Sequence, residues 1–523
     1  MTTATAGQPA ERTAALAAGP AIAEPPARVL VWAAAAAITA SVLLMIAVMT
    51  AGPSAVVPAI PRTWPVPPLW LPLHPSDTAV TMMIYAAIIL GGAGVYCGLL
   101  AVRRGARPSA RLLLGGAVVA VVAMALLPPG GSTDSLSYAA YGRIAVLGRN
   151  PYLVTPSWLR AIGDPIGLED TRNWAHDPSL YGPVATAVNW AAAKLGGTNI
   201  ASVVFWLKLL FGASFLAVAV ALDRVLRRDA TARARAHLLW TANPLMLWAV
   251  VAGAHADGLG AALGILGILV AQSKPAREGA RVGVWRALAA GLLVGAAIGI
   301  KAPLFPLALG LAWAVRRSAK DLAAAALGGA AVTGTGYLIA GPAAIADLWR
   351  TGNGLVTFDS FWRLFYQPFG YTSAPAGLEV FAGLVFLALA ALLAWRLPPG
   401  PAQFPAVRPA LVLTVAWLLA WPLQRPWYDA TAFCLLAVFA ASRLDWLILV
   451  RAVPAALAVA TGARGEPEAL WLKRLITFMG YDLSRCVRLG VVIAAVVLCV
   501  LAAGWELRQP RSRRAVAPQP ASS

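Results

Sequence analysis

Charge is scarce in this chain: 12% of its 523 residues are Asp, Glu, Lys or Arg, about half of what a soluble domain carries. Acidic residues number 22 and histidines four, too few to clothe a soluble protein of this size. Intrinsic disorder and a coiled coil both rely on charge, so they are excluded as well. Cysteine is equally sparse. Cys97, Cys434, Cys486 and Cys499 lie in or beside apolar runs without CxxC spacing, so neither a disulfide framework nor a zinc site is indicated. There is no Walker loop and no GxGxxG after a strand, which disfavours ATP-driven transport and the use of nucleotide sugars at a cytoplasmic face. What abounds is apolar: 59% hydrophobic residues and a mean hydropathy of +0.71 mark an integral membrane protein.

The net charge of +20 would point to nucleic acid in a soluble chain. Here most of the excess sits in short loops between apolar runs, where Lys and Arg orient a membrane protein, so no nucleic-acid partner is expected. Thirteen runs are long enough to cross, or nearly cross, ~30 Å of hydrocarbon: about 29–49, 78–102, 112–127, 202–222, 238–251, 258–271, 287–300, 303–315, 322–339, 380–394, 409–420, 431–447 and 490–503. The expected fold is an all-α polytopic membrane protein of about thirteen transmembrane or re-entrant helices, with short interfacial helices in the outer loops. Residues 1–28 read as a disordered cytoplasmic tail, 29–450 as the transmembrane catalytic domain with its first outer loop at 128–200, and 451–488 as a cytoplasmic amphipathic segment on anionic lipid. A last span at 489–505 and a disordered tail at 506–523 complete the chain.

Basic loops alternate in the way this arrangement requires. Arg103, Arg104, Arg107 and Arg111, then Arg224 to Arg235, then Lys274, Arg277, Arg281 and Arg286, then Arg316, Arg317 and Lys320 all fall on one face. Only the tail, with Arg508, Arg511, Arg513 and Arg514, lands on the wrong side of a thirteen-span count. The opposite, outer face collects the long loops 130–200 and 341–378 and three tight apices around His255, Lys301 and Trp427. Polar residues gathered on one side place the chemistry there.

In the first outer loop, Ser132 or Thr133 can cap a short interfacial helix that carries Asp134 in its first turn, with Tyr138 and Arg143 farther along. Asp134 either completes that cap or serves as a general base for an acceptor hydroxyl at the membrane boundary. Arg149, Asn150, Tyr152, Asp164, Asp170, Arg172, Asn173 and Tyr181 follow. Aromatics interleaved with amides and charges suit a sugar, whose CH face stacks on rings, and equally suit an interfacial aromatic belt. His255 and Asp257 lie between two short apolar runs with basic flanks, so a hairpin should sink them below the surface. There they act on a substrate or satisfy each other. Lys301, before Pro303 and Pro306, reads as a lone ammonium at depth that either snorkels or binds a phosphate. Arg425, Trp427 and Tyr428 form an outer apex, with a guanidinium that can fork onto phosphate and two rings for stacking. Arg363, in a segment resembling an interfacial amphipathic helix, is a weaker candidate of the same kind.

These residues, in this order, resemble the GT-C superfamily of polytopic glycosyltransferases, and within it the actinobacterial polyprenyl-phosphomannose-dependent α-(1→6)-mannosyltransferases of the MptA and MptB type. The likeness covers roughly residues 29–447. It rests on Asp134 to Arg143 with Gly148 to Tyr152, on Tyr181 to Pro183, on Asn243 and Pro244 leading to His255 and Asp257, on Ile300 and Lys301, and on Pro426 to Tyr428. It implies an inverting transfer of mannose from a polyprenyl-phosphate donor to a glycolipid acceptor at the outer face of the plasma membrane, with Asp134 as base. Lys301, Arg425 and Arg143 would hold the donor phosphate. Tyr138, Arg149, Asn150, Tyr152, Tyr181, His255, Asp257, Trp427 and Tyr428 would hold sugar or acceptor. Asp134 stands without the second acid of many such enzymes, so no metal and no other cofactor is assigned. A related transferase using arabinose or glucose, or a flippase of lipid-linked sugar, are the alternatives.

Overall fold

The computed structural model describes residues 25–63, 65–169, 174–272, 282–346, 355–461 and 469–501. Their secondary structure is helical, with no β-strand among the described residues. Two long apolar helices, α1 (Ala27–Thr50) and α2 (Asp77–Arg103), pack side by side and are followed by the shorter α3 (Ala110–Ala125). The first long loop folds into α4 (Asp134–Val146), two helical turns at Pro156–Ala161 and Pro165–Glu169, and α5 (Pro183–Gly196). Then come α6 (Ile200–Val225), α7 (Ala230–Ala252), α8 (Ala256–Val270), α9 (Val284–Ile300), α10 (Ala302–Val315) and α11 (Ala319–Ala340). The chain continues through α12 (Leu378–Arg396), α13 (Val407–Ala420), α14 (Asp429–Val438), α15 (Leu444–Leu457) and α16 (Leu470–Val500). Helices α1, α2, α6, α11, α12 and α16 are each long and apolar enough to cross a bilayer, so this is a multi-pass membrane protein.

Local chemistry sets the helix ends. Ser76 Oγ accepts the Ala79 amide at 3.3 Å to start α2, and Asn199 Oδ1 accepts that of Ser202 at 3.1 Å to start α6. Pro303 and Pro306 sit in opening turns, where a missing N–H costs nothing. Helix α7 is interrupted at Asn243, whose side-chain oxygen accepts the Leu245 amide at 3.0 Å, and it contains π-helical turns at His237–Thr241 and Leu247–Ala252. Such turns recur at functional sites. Helices α7 and α8 meet at 117°, with His255 at the corner, which matches the expected hairpin.

Three expectations change. The run 431–447 is two helices, because α14 stops at Val438 and α15 starts at Leu444. Arg235 pins the turn between them, pairing with Asp445 at 2.5 Å and donating to the Phe439 carbonyl at 2.8 Å. Helix α15 then returns antiparallel, so Arg451 pairs with Asp429 at the start of α14. Residues 451–488 therefore form no single surface helix. Arg451 and Arg488 are 1% and 3% exposed, the latter joined to Gln424 and Asp359, and the last apolar helix begins at Leu470 rather than 489. Helix α4, expected at the interface, is buried along Ser135–Gly142. It crosses α5 so closely that a Cβ on Gly142 would lie 2.2 Å from the Asn189 carbonyl oxygen. The tails 1–24 and 502–523, with Lys274, Arg277, Arg281, Asp170, Arg172 and Asn173, lie outside the described residues.

Candidate active site

The site forms where the loop before α4 meets the corner between α7 and α8. Ser132 Oγ accepts the Asp134 amide at 3.1 Å in the turn that leads into α4, a bond in which the Asp134 carboxylate takes no part. Gly131 has φ +76°, and a Cβ there would sit 2.6 Å from the Trp248 indole, so only glycine lets this loop lie on α7. The Gly130 amide donates to the Ala252 carbonyl at 3.0 Å and ties the two loops together. Between Ala252 and His255 the chain turns through Ala254 at φ 54°, a conformation that L-residues adopt only when the surroundings impose it.

These constraints bring Asp134 Oδ2 to 3.7 Å from His255 Nε2. The separation is too long for a hydrogen bond. His255 Nδ1 lies 2.5 Å from the Ala249 carbonyl, which can only accept, so Nδ1 carries a proton. Nε2 has no hydrogen-bond partner, and in the neutral ring its lone pair faces the carboxylate. With its lone pair toward the carboxylate, Nε2 gives Asp134 no donor, so the carboxylate is able to accept a proton from a substrate hydroxyl. The His255 ring is held by Trp427, stacked at 3.5 Å between centroids and 15° between planes.

Beside this gap, Asp257 holds Lys301 at 3.0 Å, and Lys301 Nζ also lies over the Tyr428 ring at 4.3 Å and the Tyr181 ring at 5.2 Å. The lone ammonium of the sequence reading thus has its anion within the chain. It remains at the edge of the cleft, its side chain 14% exposed. Tyr138 donates to the Tyr181 hydroxyl at 3.2 Å. Burial pushes both phenols up, and for Tyr138 the Asp134 charge adds to this, so both stay protonated and neutral. Arg425 stands 6.0 Å from the Trp427 ring and joins none of the ion pairs among the described residues. Behind the apex, Arg451 binds both Gln424 and Asp429, and Arg488 binds Gln424 and Asp359, so the turn bearing Trp427 and Tyr428 is braced from the core.

Five predicted residues do not join this cluster. Arg143 pairs through Nε with Asp164 at 2.8 Å and ties α4 to the turn at Pro165, so it is spent structurally and not offered to a phosphate. Arg363 likewise donates to the Thr357 and Val356 carbonyls at 2.9 and 2.8 Å. Asn150 uses its amide on the Ala340 carbonyl and its oxygen on the Tyr152 N–H, while Tyr152 shares a 2.7 Å hydrogen bond with Thr186. Arg149 lies over Trp158 at 5.9 Å. Arg149, Asn150 and Tyr152 line a second, open cavity of about 490 Å³ with Pro183, Trp190 and Ile339. Among the described residues no three His, Cys, Asp or Glu side chains converge to hold a metal ion. The sequence reading passed over Lys208 and Trp248. A single lysine inside an apolar run was the available signal for the first.

The sequence is similar to proteins of two mycobacteria. A protein of Mycolicibacterium smegmatis named "Probable alpha-(1->6)-mannopyranosyltransferase" is 29% identical over 242 residues, 46% of this chain and 42% of that protein. An alpha-(1->6)-mannopyranosyltransferase of Mycobacterium tuberculosis is 30% identical over 143 residues, 27% of this chain and 24% of the relative. The matched stretch thus spans less than half the length of either relative. No solved structure matches. The family model described as "Alpha-(1->6)-mannopyranosyltransferase, N-terminal domain" matches residues 34–317, which include Asp134, Tyr181, His255, Asp257 and Lys301 but not the Arg425 apex. With more than half of its length matched by that model, the chain belongs to the alpha-(1→6)-mannopyranosyltransferase family.

Proposed function

We propose that the protein transfers mannose from a polyprenyl-phosphate donor to a hydroxyl of a lipid-anchored mannan, forming an α-1,6 linkage at the outer face of the plasma membrane. The observation that carries this reading is the Asp134 carboxylate set beside His255, 3.7 Å from its Nε2, where the loop before α4 meets the α7–α8 corner. An acceptor hydroxyl placed there gives its proton to Asp134 as its oxygen attacks the anomeric carbon. The bond from that carbon to the phosphate oxygen breaks on the opposite side, and the configuration inverts. His255, fixed by the Ala249 carbonyl and the Trp427 ring, packs against the Asp134 carboxylate and holds it in place. The leaving phosphate keeps the electron pair and needs a cation, which Arg425 supplies; Lys301, already balanced by Asp257, adds less. Tyr181, Trp427 and Tyr428 give the sugar rings to lie on. The cavity lined by Arg149, Tyr152 and Trp190 is where a longer acceptor glycan would extend.

The bent α7–α8 pair also fits a carrier that moves lipid-linked sugar across the bilayer. Purified protein in proteoliposomes with a panel of polyprenyl-phosphate mannose, glucose and arabinose separates the readings. A new glycosidic bond formed from the mannose donor alone supports the proposal. Translocation without a new bond, or preference for another sugar, refutes it.

A further inference from the structure

Lys208 lies about a third of the way along α6 between Leu207 and Leu209, with none of its surface exposed. A lysine at membrane depth is costly and ordinarily pairs with a carboxylate. This one joins no ion pair among the described residues. Its Nζ donates instead to two main-chain carbonyls, Pro128 at 2.9 Å and Ala252 at 3.2 Å. Ala252 is the last residue of α7, and a cation is favoured at a helix C-terminus, where carbonyls are left without amide partners. Pro128 opens the loop that reaches Asp134 six residues later, and Ala252 opens the corner that reaches His255 three residues later. The Ala252 carbonyl also accepts the Gly130 amide, so one oxygen and one ammonium join both loops. One turn along α6, Phe211 packs edge-on against Tyr138 at 6.5 Å, so the same helix supports the aromatic floor of the site.

We propose that Lys208 is a positioning residue: by clamping the entry segments of both loops it sets how Asp134 stands against His255 in the site that receives the acceptor. The proposal rests on the transferase reading, and its test has one readout independent of turnover. Lys208→Met keeps the length of the side chain and removes its donors; Lys208→Gln keeps a shorter donor. Both are compared with the parent in detergent by steady-state kinetics and by ¹⁹F NMR of 5-fluorotryptophan-labelled protein, the Trp427 resonance being assigned by its loss in Trp427→Phe. Because Trp427 stacks on His255, its resonance reports the position of that loop. Lys208→Met should lower kcat about 100-fold with donor KM changed less than about threefold, as expected for a catalytic pair displaced by about an ångström, and should shift the Trp427 resonance. Lys208→Gln should fall between the two. A folded Lys208→Met protein with the parental resonance and kcat overturns the proposal. So does a variant that merely accumulates less while its folded fraction keeps both; if Lys208→Met does not accumulate, Lys208→Gln decides by the same readouts. Should the parent transfer no sugar, the transferase reading fails by itself while the resonance still tests the clamp.

Discussion

Replacing Asp134 by asparagine separates chemistry from folding. The substitution keeps the shape of the side chain and the Ser132 hydrogen bond, which engages the backbone amide and not the carboxylate. Its cost in stability is confined to the lost anion at the N-terminus of α4, about 0.3–1 kcal/mol. A base that accepts the nucleophile's proton contributes about 10²- to 10⁴-fold in rate, or about 2.7–5.4 kcal/mol of the barrier at about 1.36 kcal/mol per decade. The catalytic term is thus several times the structural one. Asp134→Glu is a second probe of the same carboxylate. One added methylene carries it by about 1.5 Å against His255 Nε2, which already stands 3.7 Å away, and misplacement of that order costs about 10²-fold. The assay is the initial rate of mannose transfer by purified protein, with thermal unfolding measured in parallel. An Asp134→Asn protein that keeps more than about a tenth of the parental rate would refute the assignment of Asp134 as base.

Asp257→Asn leaves the Lys301 ammonium unbalanced between two rings. It should cost about 3 kcal/mol, read by thermal or denaturant unfolding, and adding Lys301→Met should recover most of it. Arg425→Lys keeps the charge but loses the planar fork. We expect a roughly 10-fold or greater fall in kcat/KM for the donor with unchanged unfolding, measured with donor as the varied substrate. Gly142→Ala places a methyl group against the Asn189 carbonyl and forces α4 from α5, so a loss of about 1–3 kcal/mol is expected in unfolding experiments. Exchanging the Arg143 and Asp164 charges together should restore the accumulation that either single reversal reduces, without altering kcat, as measured on purified protein.

Where charge and periodicity act locally, the sequence was legible. The apolar runs and basic loops placed most helices, and the short runs beside His255 and Lys301 identified the hairpin corner. Pairings across long separations were not. Lys301 finds Asp257 44 residues away, and Arg143 finds Asp164 21 residues away, so each looked like a free cation. The break between α14 and α15 lies in Phe439-Ala440-Ala441-Ser442, which has no glycine or proline, and Arg235, 210 residues from Asp445, holds that turn. Arg451 and Arg488 read as surface residues because Asp429, Asp359 and Gln424, which neutralise and bury them, belong to other segments. Lys208 escaped notice because a clamp made on main-chain carbonyls leaves no side-chain signature for its partners.

The most direct measurement is a cryo-electron microscopy structure of the protein with a non-hydrolysable polyprenyl-phosphate mannose analogue and a short mannan acceptor. The account predicts the acceptor hydroxyl about 2.6–3.2 Å from Asp134, with the donor phosphate on Arg425. A hydroxyl seated away from Asp134, or a donor phosphate at the opposite end of the helices near Arg103 and Arg235, would contradict it.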